Sequence, residues 1–303
     1  MIDQRRRKTM IVIFLLPTVL LYVGLLIYPT TQALRFSFYD WKGFSLANAK
    51  YIGLGNFQEA IGDKWVHVAI TNNALIVFVG GAFMFLLAIF FAVVLAEKRT
   101  KGKRLFKLLI MLPLLINEVG IALFWTFVVN DRFGLLNGTL RALGLGAWTQ
   151  VWLGEKEWAR VVVIFVIVWT AIGFYMMLLH AGIKQIPSEI GDAARVDGAN
   201  DIQRFFFVTL PLLRDVFATG IILWTIYALR SFGIIWAMTQ GGPARSTHVL
   251  STLMFENIAT TYKSQASFRF GYAASLAVIQ FAIVLIFSAA FFLLSRKERV
   301  EYS

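Results

Sequence analysis

Residues 186–211 read IPSEIGDAARVDGANDIQRFFFVTLP, a polar stretch between two long apolar runs. Pro187 suits the first turn of a helix, and Gly198 suits a helix end. On such a helix, spacings of three and four residues form a face of mostly small side chains, namely Ile190, Ala193, Ala194 and Asp197. Because small side chains let a partner approach the backbone, the stretch predicts a short helix that another molecule grips. Asn200 or Asp201 is expected to cap a second short helix, which Pro211 ends.

The composition indicates an integral membrane protein. Of the 303 residues, 58% are hydrophobic and only 15% are charged, whereas soluble domains average about 45–50% and about 25%. The net charge of +12 does not indicate nucleic acid, because the basic residues lie in short loops beside apolar runs. The chain has no cysteine, which excludes disulfide and thiol chemistry.

Six apolar runs are long enough to cross a bilayer, which takes roughly 20 residues. We place them at residues 10–28, 74–96, 108–129, 161–179, 216–238 and 272–294. The predicted architecture is therefore all-α, a single polytopic domain over residues 1–303. A cleaved signal peptide competes for the first run, but its apolar core would be about 7–15 residues long.

The distribution of Lys and Arg predicts the orientation. With six spans both termini share one side, which carries 17 basic residues against 11 in the opposite loops. Because positive charge favours the cytoplasm, both termini and the 186–211 segment are expected to be cytoplasmic. The strongest contributor is the loop 97–107, with six basic residues.

The 186–211 segment resembles the EAA loop of binding-protein-dependent ABC importer permeases. The matching positions are Asp192, Ala193, Ala194, Gly198, Val208, Leu210 and Pro211. Asp192 stands where the family usually has Glu. The loops on the other side add to the resemblance, most specifically Thr239, Gln240, Gly241, Gly242 and Pro243, and they are similar to the maltose- and glycerol-phosphate-type first permease subunit.

The resemblance implies a type I ABC importer permease that forms the translocation pathway for a sugar or oligosaccharide in a bacterial or archaeal cytoplasmic membrane. It implies a second homologous permease, two ATP-binding cassette ATPases and an extracytoplasmic solute-binding protein as partners, with no cofactor and no metal. The first helix of the segment would be the coupling helix, seated on the ATPase. Its contact residues would be Glu189, Asp192, Ala193, Ala194, Asp197 and Gly198.

The sequence has no G-x-x-x-x-G-K-[ST] phosphate loop, so an enzyme is not expected and ATP hydrolysis falls to a partner. Its three histidines are far apart, without metal-ligand spacing.

Two charges lie within the predicted spans, Glu118 beside Asn117 in the third and Arg230 in the fifth. Such charges usually face the bundle interior or a wet cavity. Counted from the outer ends at 1.5 Å per residue, their heights differ by about 4 Å, which predicts that they pair or share a cavity. They line the sugar pathway or compensate one another. Trp125, Trp224 and Tyr227 carry aromatic rings that suit either stacking on a sugar or anchoring at the membrane interface.

Two other functions stay open. An importer for a polyol or glycerol phosphate would use Arg230 to bind the phosphate. An ion-driven secondary transporter would use Glu118 as a proton carrier, but it would leave the 186–211 segment unexplained, and no inverted repeat is visible in the sequence.

Overall fold

The computed structural model describes residues 4–42, 45, 49–97, 102–259 and 268–296. Residues 98–101 of the basic loop and 297–303 at the C-terminus, which contribute to the predicted orientation, lie outside this set. The chain divides into two units, Met1–Asp63 with Met254–Phe281, and Lys64–Leu253 with Ala282–Ser303.

The described chain is mostly helical. The helices are α1 (Gln4–Tyr22), α2 (Tyr28–Phe36), α3 (Gly55–Gly62), α4 (Lys64–Leu75), α5 (Gly81–Ala96), α6 (Lys103–Leu115), α7 (Glu118–Val128), α8 (Leu135–Ala142), α9 (Lys156–Gln185), α10 (Ser188–Val196), α11 (Asp201–Arg204), α12 (Leu210–Leu212), α13 (Arg214–Leu229), α14 (Gly233–Thr239), α15 (Leu250–Ile258) and α16 (Phe270–Arg296). Three π-helical turns join helices, at Val23–Ile27, Ile76–Gly80 and Phe205–Thr209, and Gly146–Trp148 is a 3₁₀ turn. Strands β1 (Tyr39–Asp40) and β2 (Lys50–Tyr51) pair antiparallel.

Within the described residues, five apolar helical runs and one bent helix pair overlap the six predicted spans. Five are single candidates by length and composition, and α6 with α7 forms a sixth if the pair counts as one span. The five are Met10–Phe36, Lys64–Ala96, Lys156–Gln185, Arg214–Thr239 and Phe270–Phe291. The first runs eight residues beyond the predicted end, because Thr30 and Thr31 donate their hydroxyls to helix carbonyls and so stay within the helix.

The prediction of one continuous third span was wrong. Helices α6 and α7 meet at 103°. Ile116 and Asn117 have extended backbone there, and the Asn117 side chain accepts a hydrogen bond from Val119 N at 2.9 Å. The asparagine thus caps a new helix instead of continuing the old one.

The fifth span is also interrupted. Helix α13 ends at Leu229, and α14 restarts at Gly233 after three residues outside any helix. The backbone N–H of Arg230 donates to the carbonyls of Ile226 and Tyr227, a tightened last turn that closes α13.

Helix α9 is the centre of the second unit. About 61% of the residues in its most apolar stretch are buried, against 33% in the run Lys64–Ala96. The helix packs along α5, α6 and α13. Close backbone contact with α6 requires Gly173, because a Cβ there would lie 2.6 Å from the Ile110 carbonyl oxygen. The largest fully buried side chains of this unit include Ile76, Met84, Ile167, Met176, Leu179 and Trp224.

The first unit joins residues distant in sequence through polar contacts. Arg269 Nη2 lies 2.5 Å from Glu59 Oε2, and Tyr272 donates to Asp63 at 2.8 Å. The hydrogen bond from Arg269 to Glu59 raises the pKa of the guanidinium. The Trp41 ring stacks on Phe270 at 4.8 Å. These contacts fix the start of α16 against the segment that carries the two strands.

Candidate functional site

The 186–211 segment forms a short exposed helix, as predicted. Helix α10 begins directly after Pro187, and none of its residues is buried. Ile190 is 40% exposed and Val196 is 87% exposed. The segment therefore presents apolar surface that the chain itself does not cover.

Gly198 closes this helix in the way its position predicted. Its φ of +86° is in the left-handed region. Its N–H donates to the Arg195 carbonyl at 3.0 Å, and the N–H of Ala199 donates to the Ala194 carbonyl at 2.9 Å. Together these two bonds form a Schellman motif, which gives the helix a defined end.

The second half of the segment differs in part from the prediction. Asn200 caps α11 through a capping box, accepting from Gln203 N at 2.8 Å while the Gln203 side chain accepts from Asn200 N. Pro211 does not end the helical path. It lies at the second position of α12, and the path continues through Leu213 into α13.

The basic residues of the segment have partners within the chain. Arg195 lies 3.3 Å from Asp192, and Arg204 lies 3.0 Å from Asp201. The Asp192 and Asp201 side chains are 68% and 86% exposed, so each pair contributes little to stability. Behind these pairs, a cleft of about 370 Å³ separates the segment from the ends of α5 and α9.

A second cleft, of about 430 Å³, is lined by both charges that the sequence places inside spans. Its lining residues are Glu118, Leu223, Ile226, Tyr227 and Arg230. Glu118 is the first residue of α7, and Arg230 is the cap residue of α13, so the cleft lies where two interrupted spans meet. The two charges therefore share a cleft, although the bend between α6 and α7 removes the continuous third span from which their heights were counted.

The two charges are not the buried pair that the sequence allowed. Both residues are exposed, and among the described residues no ion pair within 4.0 Å joins Glu118 to Arg230. Glu118 instead lies against α14, because a Cβ at Gly233 would be 2.7 Å from Glu118 Oε2. Glycine at 233 makes room for the carboxylate at the rim of the cleft.

The expectation that Trp224 stacks on a sugar is corrected by its position. The side chain is 1% exposed, and its Nε1 donates to the Val77 carbonyl at 2.9 Å. A Cβ at Gly81 would lie 2.5 Å from that nitrogen, so the indole is enclosed between spans. Trp224 is a core residue with no face open to a ligand.

The other expected pathway residues separate into two groups. Tyr227 lines the cleft with Glu118 and Arg230. Asn117 and Trp125 are not among the lining residues. Asn117 caps α7, and Trp125 packs edge-on against Phe165 and Trp169.

A buried polar network was missed by sequence reasoning. Asn72 Nδ2 donates to the carbonyls of Ser246 and His248 at 2.7 and 2.8 Å, and Asn73 Oδ1 accepts from Leu250 N at 3.0 Å. The two asparagines thus hold the loop that follows the Gln-Gly-Gly-Pro turn. The available signal was an adjacent pair of amides directly before the long apolar run that starts at residue 74.

Comparison with known proteins shows what the chain resembles. Residues 84–300 match the family model described as binding-protein-dependent transport system inner membrane component. The diacetylchitobiose uptake system permease protein of Streptomyces coelicolor is 34% identical, over 96% of this chain and 85% of that protein. The trehalose/maltose transport system permease protein of Thermococcus litoralis is 31% identical, over 82% of this chain and 81% of that protein.

A solved structure has the same fold. It is the bacterial alginate ABC transporter in complex with an alginate pentasaccharide-bound periplasmic protein, one chain of which matches with a TM-score of 0.83 at 22% identity, covering 96% of each chain. The family match extends over more than half of the chain and the relatives over nearly all of it. The chain therefore belongs to the binding-protein-dependent transport system inner membrane components, the permease subunits of ABC importers.

Proposed function

We propose that the chain forms one half of the membrane pathway of an ATP-driven importer for a sugar or oligosaccharide. The observation that carries the proposal is α10, a short helix with a defined end and an uncovered surface. Support for the substrate class comes from relatives whose names specify diacetylchitobiose, trehalose and maltose, and lactose.

The proposed partners follow from two features of the chain, the missing phosphate loop and the exposed helix α10. Its sequence has no phosphate loop, so ATP is hydrolysed by two ATPase subunits. Each permease presents one helix to one ATPase, and a second homologous permease completes the pathway. A solute-binding protein delivers the sugar from outside.

Coupling uses the uncovered face of α10. The proposed contact residues are Glu189, Asp192, Ala193, Ala194, Asp197 and Gly198. Small side chains at 193 and 194 let the ATPase approach the helix backbone, and the Schellman end keeps the helix rigid under load. A displacement of α10 then reaches the spans through α11, the π turn, α12 and α13, which follow one another after Asn200 with only Leu213 between α12 and α13.

Both termini and α10 lie in the cytoplasm in this proposal, which the distribution of basic residues supports. The sugar pathway passes the cleft at Glu118, Tyr227 and Arg230. A carboxylate, a phenol and a guanidinium offer both donors and acceptors, as sugar hydroxyls require.

The test is uptake by the complete transporter in proteoliposomes, with binding protein and ATP. In vesicles whose lumen stands for the cytoplasm, uptake of a labelled disaccharide is expected to require ATP in the lumen. The uptake is expected to continue when an uncoupler is added. Uptake that the uncoupler abolishes and ATP does not support would instead assign the chain to ion-driven transport.

A further inference from the structure

Arg204 is far less exposed than the other ion-paired side chains of the 186–211 segment. Its side chain is 19% exposed, against 57% for Arg195, 68% for Asp192 and 86% for Asp201. Arginine can bury its aliphatic stem while the guanidinium keeps contact with water or a counter-ion. The burial therefore indicates that the stem of Arg204 is packed against a neighbouring element, although its ion pair lies at the surface.

That neighbouring element is helix α10. Arg204 is the last residue of α11, and a Cβ built at Gly191 of α10 would lie 3.9 Å from Arg204 Cδ, an ordinary van der Waals distance. The guanidinium turns back to its own helix, where Nη2 is 3.0 Å from Asp201 Oδ1. One side chain thus spans the corner between α10 and α11.

The hydrogen bonds at this corner do not fix the angle between the two helices. The Schellman bonds of Gly198 and Ala199 stay within the end of α10, and the capping box of Asn200 and Gln203 stays within the start of α11. Each set defines one helix end, so the angle depends on side-chain packing across the corner. Arg204 supplies such packing from the α11 side.

Towards the ends of α5 and α9 the corner faces the cleft of about 370 Å³. Arg204 lines this cleft together with Val93 and Ala96 of α5 and Ile183 of α9. A push on α10 can therefore either move the spans that follow it or close the corner into the cleft. A side chain that fills the inside of the corner opposes the second movement.

We propose that Arg204 is a positioning residue for coupling: its stem keeps the angle between α10 and α11 fixed, so that a displacement of α10 is passed on to α13. The inference rests on the proposed function, in which α10 is the coupling helix. The aliphatic stem is the acting part, because the ion pair to the exposed Asp201 contributes little by itself. An uncharged side chain with a stem of similar length should therefore replace the arginine.

The test measures the sugar transported per ATP hydrolysed by the complete transporter, reconstituted with its binding protein. Arg204→Ala removes the stem and is expected to lower this ratio several-fold. Arg204→Met keeps an unbranched stem without the charge and is expected to retain most of the ratio. Arg195→Ala is the matched control, because it removes a more exposed arginine that lines the same cleft, and it should leave the ratio unchanged. A variant that merely folds less well lowers transport and ATP hydrolysis together, so the ratio separates positioning from stability.

A second measurement reports the corner itself and does not depend on transport. Spin labels on Ile190→Cys and Phe207→Cys, both at exposed positions, give the distribution of distances between α10 and the π turn in the purified transporter. Arg204→Ala is expected to broaden this distribution, and Arg204→Met is expected to keep it narrow.

Three results would overturn the proposal: a wild-type ratio in Arg204→Ala, a ratio in Arg204→Met as low as in Arg204→Ala, or a distance distribution that Arg204→Ala leaves unchanged. Wild-type transport that does not depend on ATP would instead contradict the proposed function.

Discussion

Gly198 shows how one residue type sets the geometry of α10, the proposed coupling helix. No atom lies within 4 Å of a Cβ built at this position, so crowding within the chain does not require glycine. The requirement is the φ of +86°, which closes the Schellman motif. For residues with a Cβ this conformation costs about 1–2 kcal/mol, with Asn the common exception.

Gly198→Val is therefore expected to leave the protein inserted in the membrane but to reduce substrate-stimulated ATP turnover by the assembled transporter several-fold. Gly198→Asn, which tolerates the left-handed region, is the matched control and retains most of the stimulation. Stimulation that is equal in the two variants would show that the helix end plays no part in coupling.

Glu118 and Arg230 are expected to act independently, because both are exposed at the cleft and do not form an ion pair. Glu118→Gln and Arg230→Gln should each reduce sugar uptake, and their effects on thermal stability should add within about 0.5 kcal/mol. Stability measurements on the two single variants and the double variant check this. A coupling energy above about 1 kcal/mol would show that the two side chains interact directly.

Among the elements, the six apolar runs could be predicted, whereas the interruptions of the third and fifth spans could not. Hydropathy averages over a window, so a two-residue break at Ile116 and Asn117 leaves the mean unchanged. The polar pair of Asn117 and Glu118 was interpreted as charge inside a helix, although Asn before Glu is also typical of a helix start. In the fifth span no proline marks the break. Glycine at position 233 is explained only by the nearby Glu118 carboxylate, which the sequence does not show.

The 186–211 segment was predicted more closely than the cleft. Its helix start, its glycine end and its capping asparagine are local signals, each decided within four residues. The cleft depends on contacts between α7, α13 and α14, which no single sequence segment encodes. The burial of Trp224 could not be predicted for a similar reason. A tryptophan in an apolar run has no sequence feature that distinguishes a core residue from a pathway residue.

The hydrogen bonds from Asn72 and Asn73 of α4 to the loop before α15 are expected to stabilise the fold. Asn72→Leu removes the donor to the buried Ser246 and His248 carbonyls and is expected to lower the free energy of unfolding by about 1–3 kcal/mol. Thermal unfolding of the purified transporter measures this loss. Thr71→Leu, at the exposed neighbouring position, is the control and should change stability much less. Equal losses in the two variants would show that the Asn72 hydrogen bonds do not stabilise the fold.

At the scale of the whole molecule, the fold is that of an ABC importer permease, and helix α10 and the Gly-Gly-Pro loop are separated along the chain by the fifth span. Under the proposed function, α10 lies in the cytoplasm and the loop lies outside. The natural chain has no cysteine, so single engineered cysteines report their own side without background.

The most direct test is labelling of Ala193→Cys and Ala244→Cys, both at exposed positions, with a membrane-impermeant maleimide in oriented membranes. Ala193→Cys is expected to react only from the cytoplasmic side and to be protected when the ATPase subunits are assembled. Ala244→Cys is expected to react only from outside, with or without the ATPases. Reaction of both from the same side, or undiminished labelling of Ala193→Cys in the assembled transporter, would contradict the account.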